Sequence, residues 1–214
     1  MYGGHAIVAA HVPLAAGMAF ASKYRDEDRV TLCFFGDGAI NQGSFHEALN
    51  LSALFRLPVI FICENNLFAM GTSVERSTSL KQIIDRAEGY DIPSCVVDGM
   101  NFRQVRDTLS EVVASIRKDP HPAFVEARTY RYRGHSMSDP ASYRTKEQLE
   151  KYRLDDPITR LRAQLTREGK PYCELVLADA CDRMTLRVWS DHPAYKTCSD
   201  FTTEHFVELG GDFR

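Results

Sequence analysis

The sequence predicts an α/β protein built on a parallel, doubly wound sheet, and two observations carry that prediction. Short β-branched and aromatic runs alternate along the chain with stretches of helical period. The runs are also apolar throughout rather than alternating, the pattern of strands covered by helices on both faces.

The first run is "RVTLCFF", Arg29 to Phe35. A helix is expected next. Ser44 and Glu47 have the S-x-x-E spacing of a capping box, and Phe45, Ala48, Leu49, Ser52 and Phe55 recur on one face. "PVIFICE", Pro58 to Glu64, gives the second strand and "SCVVDG", Ser94 to Gly99, the third. Asn101 is placed to cap a second helix whose buried stripe is Val105, Leu109, Val112 and Ile116. "PAFVEARTY", Pro122 to Tyr130, is the last strand of the set. No internal repeat or low-complexity segment interrupts this order.

The character changes after about residue 165. "TREGKP" (166–171) reads as a linker, and "YCELVLADACDRMTLRVW" as two strands around a turn near Ala180 to Arg183. We therefore divide the chain into a main domain, 1–165, and a small β-rich appendage, 166–214. The appendage is faintly similar to an oligonucleotide-binding barrel fragment, but residues 171–214 hold four Lys/Arg against eight Asp/Glu, the wrong sign for phosphate contacts. His192, His205, Cys173, Cys181 and Cys198 match no zinc spacing.

Composition narrows the class. With 44% hydrophobic and 26% charged residues and a formal net charge of -3, nothing marks the chain as disordered, nucleic-acid-coating or membrane-bound. The apolar stretch from Ile7 to Phe20 is broken by His11 and Pro13 and is too short to span a bilayer. The N-terminus lacks the basic start and cleavage pattern of a signal peptide, so an intracellular protein is expected. The six cysteines include no C-x-x-C pair, and Cys33, Cys63 and Cys95 fall in apolar runs, as buried reduced thiols do.

Chemistry enters at Gly36-Asp37-Gly38. Open parallel sheets bind ligands at the carboxyl ends of their strands, and this triplet lies at such an end. Gly-Asp-Gly alone is a common turn. After 26 intervening residues, at the end of the next strand, stand Asn65 and Asn66. Two neighbouring strand ends would then offer a carboxylate and an amide oxygen to one point, both hard oxygen ligands suited to Mg²⁺.

The spacing of GDG and NN, with "YGGHAIVAAHVPLAAG", "ENNLFAMGTSVERS", "VDGMN" and "YRYRGHSMSDPASYRTKEQL" in order, resembles the α subunits of the thiamine-diphosphate-dependent 2-oxo acid dehydrogenases. The resemblance runs from about Tyr2 to Arg162. Its last segment is closer to the pyruvate type than to the branched-chain type, and the acetoin type is close. It implies the thiamine-diphosphate-binding fold, with thiamine diphosphate and Mg²⁺ as cofactors. Asp37 and the Asn66 side chain would ligate the metal, with the Phe68 carbonyl as third ligand. Gly38 and Ala39 would approach the diphosphate. Ala6 and Val8 would meet the aminopyrimidine ring through their backbone, although glycine is common at the first of these.

His135, in "RGHS", matches the family's active-site histidine, with the implied role of exchanging protons near neutral pH. Arg131 and Arg133 would neutralise phosphate or organise the loop. Ser73, Ser136 and Ser142 match positions phosphorylated in mitochondrial relatives. The implied reaction is oxidative decarboxylation of pyruvate, a small 2-oxo acid, with acetyl transfer to a lipoyl carrier. The implied partners are a β subunit, in a heterotetramer of two α and two β chains, and the lipoyl domain of a dihydrolipoyl acyltransferase; no nucleic acid and no membrane are expected. The β subunit would supply the glutamate that activates the cofactor, and a Tyr-Arg pair that holds the diphosphate would precede Met1. The expected compartment is the bacterial cytoplasm, with the mitochondrial matrix as alternative. A catalytically incompetent chain that keeps only binding surfaces is the competing expectation.

Overall fold

The computed structural model describes residues 3–161 together with the strands 172–178 and 183–189. The chain divides into two compact units, Met1–Leu161 and Arg162–Arg214.

The first unit opens with helix α1, His11–Tyr24, followed by strand β1, Thr31–Gly36. A 3₁₀ turn, Asp37–Asn41, runs directly into α2, Gly43–Leu54. Strand β2, Val59–Asn65, leads to a two-residue ribbon, β3 (Phe68–Ala69) and β4 (Thr72–Ser73), and to the short helices α3, Val74–Ser77, and α4, Asp85–Glu88. Strand β5, Ser94–Asp98, helix α5, Phe102–Lys118, strand β6, Ala123–Arg128, and helix α6, Lys146–Leu154, complete the unit.

The sheet is parallel throughout, in the order β1-β2-β6-β5, with Thr31 opposite Val59, Ile60 opposite Ala123 and Ser94 opposite Phe124. Strand β2 is apolar on both faces because it is central, and six of its seven residues are buried. One face packs on α1 and α2 through Cys33, Phe35, Phe61, Cys63 and Phe124, with Val12, Ala16, Phe45 and Leu49 opposing. The rings of Phe35, Phe45 and Phe124 meet edge-on or tilted at 5.5 to 6.3 Å. Burying such side chains stabilises the fold by roughly 1.5–3 kcal/mol each. The other face packs on α5, where Ile60, Ile62, Val97 and Val125 meet Ile116, with Val105, Leu109 and Val112 partly buried around them. Helices on both faces make the sheet doubly wound, as expected.

Three local expectations are corrected. Among the described residues strand β1 is covered on one face only: Leu32 and Phe34 are 46% and 51% exposed. It is the edge strand, and α5 lies over the opposite part of that face. Ser44 does not cap α2, because the 3₁₀ turn carries the chain into the helix earlier, with Gln42 at the N-cap and no side-chain cap bond. Phe55 ends that helix half-exposed as its C-cap, edge-on to Phe20 of α1 at 5.7 Å. Asn101 does cap α5, its Oδ1 accepting from the Gln104 backbone N–H. Cys33 and Cys63 are buried free thiols, and Cys95 is half-buried. Burial pushes the Cys33 thiol up to about 12.

In the second unit, β7 (Tyr172–Ala178) and β8 (Arg183–Trp189) pair antiparallel from Tyr172–Trp189 to Ala178–Arg183. The linker residues 166–171, the turn between the strands, His192, His205, Cys181 and Cys198 lie outside the described residues, as does the side chain of Cys173. Among the described residues no helix is long and apolar enough to cross a membrane.

Candidate functional site

The carboxyl ends of β1 and β2 bring the two motifs together. Asp37 is buried where β1 ends, and its Oδ1 accepts from the Asn66 backbone N–H at 3.3 Å. Burial pushes its carboxyl above the ordinary carboxylate range, against backbone hydrogen bonds from Asn66 and from its own amide and the attraction of Arg131 and Arg144. Gly38 is required by contact: a Cβ there would stand 2.6 Å from Cβ of Ala69 in the ribbon. Ala39, the other residue expected beside a diphosphate, turns its methyl into the core.

The turn after β2 is tightly specified. Leu67 has the left-handed φ of 72°, unusual for a branched residue. Its N–H donates to Asn65 Oδ1 at 3.0 Å, an Asx-type bond that closes the turn. The turn brings the Asn66 amide onto Asp37 and Ala69 against Gly38, so residues 66–69 lie beside the turn that carries Asp37.

Two guanidinium groups reach these oxygens. Arg144 Nη2 donates to the Asn66 carbonyl at 2.9 Å and to Asn66 Oδ1 at 3.1 Å, and Arg131 Nη1 donates to the Phe68 carbonyl at 3.4 Å. The Arg144 guanidinium also lies 4.3 Å from the Tyr130 ring centroid and 5.2 Å from that of Phe68. Every oxygen expected to bind a metal thus faces positive charge. A carboxylate, an amide oxygen and a carbonyl form an all-oxygen donor set of the kind Mg²⁺ takes, and the residues present fit that ion. Among the described residues no cluster of three or more His, Cys, Asp or Glu side chains exists, so a metal here would depend on these mixed oxygens.

His135 is exposed on the segment between β6 and α6. Its backbone N–H donates to Asp139 Oδ2 at 2.7 Å; the Ala141 N–H donates to Oδ1 at 2.9 Å and the Tyr143 hydroxyl to Oδ2 at 2.7 Å. These three donors, the His135 amide first, hold the Asp139 carboxyl below its usual range. Gly134 is forced, since a Cβ would come within 2.3 Å of the Asp139 carbonyl oxygen. Tyr143 stacks on Phe68 at 4.9 Å, which joins this loop to the turn after β2. Ser136 and Ser142 are exposed, Ser73 is half-buried at the N-cap of α3, and Arg133 is exposed.

Ala6 and Val8 lie exposed in the turn that enters α1, next to the buried, left-handed Ala9. Their tie to the strand end runs through His11, whose Nε2 meets the Phe34 carbonyl at 2.8 Å.

Sequence reasoning did not single out Asp139, Tyr143, Arg144 or Glu126. A signal existed for the first, since Asp before Pro favours a turn with side-chain bonds to following amides. Thr145 and Gln148 form a capping box that starts α6, legible as T-x-x-Q. Nothing in the sequence points Arg144 back to Asn66, 78 positions earlier.

Comparison with known proteins gives a consistent picture. Residues 1–174 match the family described as "Dehydrogenase E1 component". The chain is 50% identical over 169 residues to the pyruvate dehydrogenase E1 component subunit alpha of Rhizobium meliloti, covering 78% of this chain and 49% of that protein. It is 44% identical over 191 residues to the corresponding Zymomonas mobilis subunit, covering 89% and 54%. With the mitochondrial subunit of Sminthopsis macroura it shares 48% over 166 residues, covering 77% and 45%. The chain spans about half the length of these relatives.

Proposed function

The chain belongs to the dehydrogenase E1 component family, and on that premise we propose that it is the α-subunit cofactor domain of a pyruvate dehydrogenase, acting in oxidative decarboxylation of pyruvate with acetyl transfer to a lipoyl carrier. The observation that supports this reading is the meeting of Asp37 with the turn after β2 at one sheet end, where the Asn66 N–H donates to Asp37 Oδ1.

Thiamine diphosphate, when bound, supplies the carbon nucleophile and the electron sink for loss of CO₂. Asp37, Asn66 Oδ1 and the Phe68 carbonyl would hold the Mg²⁺ that accompanies its diphosphate. Gly38, whose missing side chain lets Ala69 pack against it, would offer its backbone to the diphosphate, and the Ala6–Val8 turn would lie along the aminopyrimidine. Arg131 and Arg144 keep the pocket cationic, which favours an anionic diphosphate and a carboxylate substrate. His135 would hold or release a proton at its imidazole, and Asp139 fixes the backbone from which that ring projects.

The partners we propose are a β subunit, in an α₂β₂ heterotetramer, and the lipoyl domain of an acyltransferase. The compartment is the cytoplasm of a bacterium, in keeping with the bacterial relatives. The test is reconstitution of the full chain with a cognate β subunit, thiamine diphosphate and Mg²⁺. Pyruvate-dependent CO₂ release is expected, and Asp37→Ala should abolish it; undiminished turnover in that variant refutes the metal role.

A further inference from the structure

Glu126 is a carboxylate where the fold alone asks for an apolar residue. It follows Ala123, Phe124 and Val125 in β6, all buried, and its own side chain is 2% exposed. A buried charge is costly unless hydrogen bonds replace the lost water. Here three donors do so. Oε1 accepts from Asn65 Nδ2 at 2.9 Å and from Arg128 Nε at 3.1 Å, and Oε2 accepts from the Ile84 N–H at 3.2 Å.

The Arg128 bond is local to β6, and the Ile84 bond ties Glu126 to the start of α4. The third reaches the turn that carries the candidate metal ligands. With its amide nitrogen fixed on Glu126, Asn65 has its Oδ1 directed at the Leu67 N–H, the bond that holds Leu67 left-handed. The Asn65 carbonyl in turn accepts from the Thr129 N–H at 2.9 Å, so the turn is fastened to β6 at both backbone and side chain. Without the carboxylate, the Asn65 amide loses the partner that tells its oxygen from its nitrogen. The turn could then relax toward the extended backbone a leucine prefers, and Asn66 and Phe68 would move with it.

We propose that Glu126 is a positioning residue for the metal site: through Asn65 it holds the 65–68 turn, whose Asn66 N–H meets Asp37 and whose Asn66 Oδ1 and Phe68 carbonyl would complete the metal's ligands. The proposal rests on the metal-site reading above.

The test measures Mn²⁺ binding to the full chain in the presence of thiamine diphosphate, by the loss of the free-ion resonance signal, alongside the melting temperature. Glu126→Gln keeps the shape but sets an amide nitrogen against one of the donors. It is expected to weaken Mn²⁺ binding about tenfold, in the range found when outer partners of metal ligands are removed. Asn65→Ala should weaken binding similarly, and the double variant should bind no worse than the weaker single one, because both act through one turn. Asn65→Ala leaves Glu126 with Arg128 and Ile84, and it carries the test if Glu126→Gln fails to fold. Wild-type affinity in either folded variant, with only a lowered melting temperature, would show a purely structural carboxylate and overturn the proposal. Mn²⁺ binding that is absent from the wild type, or that survives Asp37→Ala, rejects the metal-site reading itself, and the proposal with it.

Discussion

A single nitrogen of Arg144, Nη2, bonds both the backbone carbonyl and the side-chain oxygen of Asn66, at 2.9 and 3.1 Å. One guanidinium corner therefore closes on two oxygens of the residue expected to bind a metal, and its plane is held by the Tyr130 and Phe68 rings. A cation already stands where another is expected.

That placement gives an effect of opposite sign for two probes. Bare Mg²⁺ is repelled by Arg144, whereas the magnesium-diphosphate end of the cofactor complex is locally negative, its thiazolium charge lying further off, and is attracted. At an effective dielectric between that of water and of a protein surface, one unit charge several ångströms away is worth about 1 kcal/mol. Arg144→Gln should tighten bare Mg²⁺ and weaken the complex, each by roughly three- to tenfold. Titration calorimetry at low salt reads both, and a change of the same sign for the two probes counts against this account.

The contact between Gly38 and Ala69 makes a reversible prediction. Gly38→Ala drives a methyl into Ala69, at a cost of about 1–3 kcal/mol if the ribbon must shift. Mn²⁺ binding in the presence of cofactor should fall by at least fivefold. Ala69→Gly in the same chain removes the obstructing carbon and should restore most of it. Failure of the second change to rescue the first would place the defect elsewhere.

Asp139 sets a pH window for the His135 loop. Its carboxyl is held below the ordinary 3.8 by the His135 and Ala141 amides and the Tyr143 hydroxyl. The ionised form is the one the folded loop prefers, so this contribution is complete above 3.8 and is lost as pH falls through the lower folded value. The ¹⁵N–¹H resonance of Ala141, whose amide donates to the same carboxylate, should show the Asp139 transition only below 3.8. Asp139→Asn should show no such transition.

The aromatic trio sets the stability of the first unit. Phe124 is fully buried and its ring meets both Phe35 and Phe45. Phe124→Ala is expected to cost about 3–5 kcal/mol, read as a shift in the urea midpoint by circular dichroism. Exposed Leu154→Ala, on α6, should change it by less than about 0.5 kcal/mol.

The sheet was legible because its signal is local. Apolar runs at 29–35, 58–64, 94–99 and 122–130 became strands 31–36, 59–65, 94–98 and 123–128, each within two residues at either end. The meeting of Asp37 with Asn66 was legible for the same reason, since adjacent parallel strands put their ends side by side. The coverage of β1 was not, because an edge strand and a central strand can carry the same apolar run, and only strand order separates them. Arg144 and Glu126 act across folds of the chain that no spacing rule encodes, whereas Asp139 acts within its own loop, where Asp before Pro was the legible signal. The Glu126 carboxylate even reads as an interruption in "AFVEAR" until Asn65 and Ile84 are seen around it.

The half-covered face of β1 also governs how the chain behaves in a tube. Among the described residues Leu32 and Phe34 form an apolar strip on a strand with one unpaired edge, the arrangement from which chains stack onto one another. Colloidal stability, rather than unfolding, should therefore limit working concentration. Light scattering that grows with concentration and added sulfate, and falls in Phe34→Lys, is the expected behaviour.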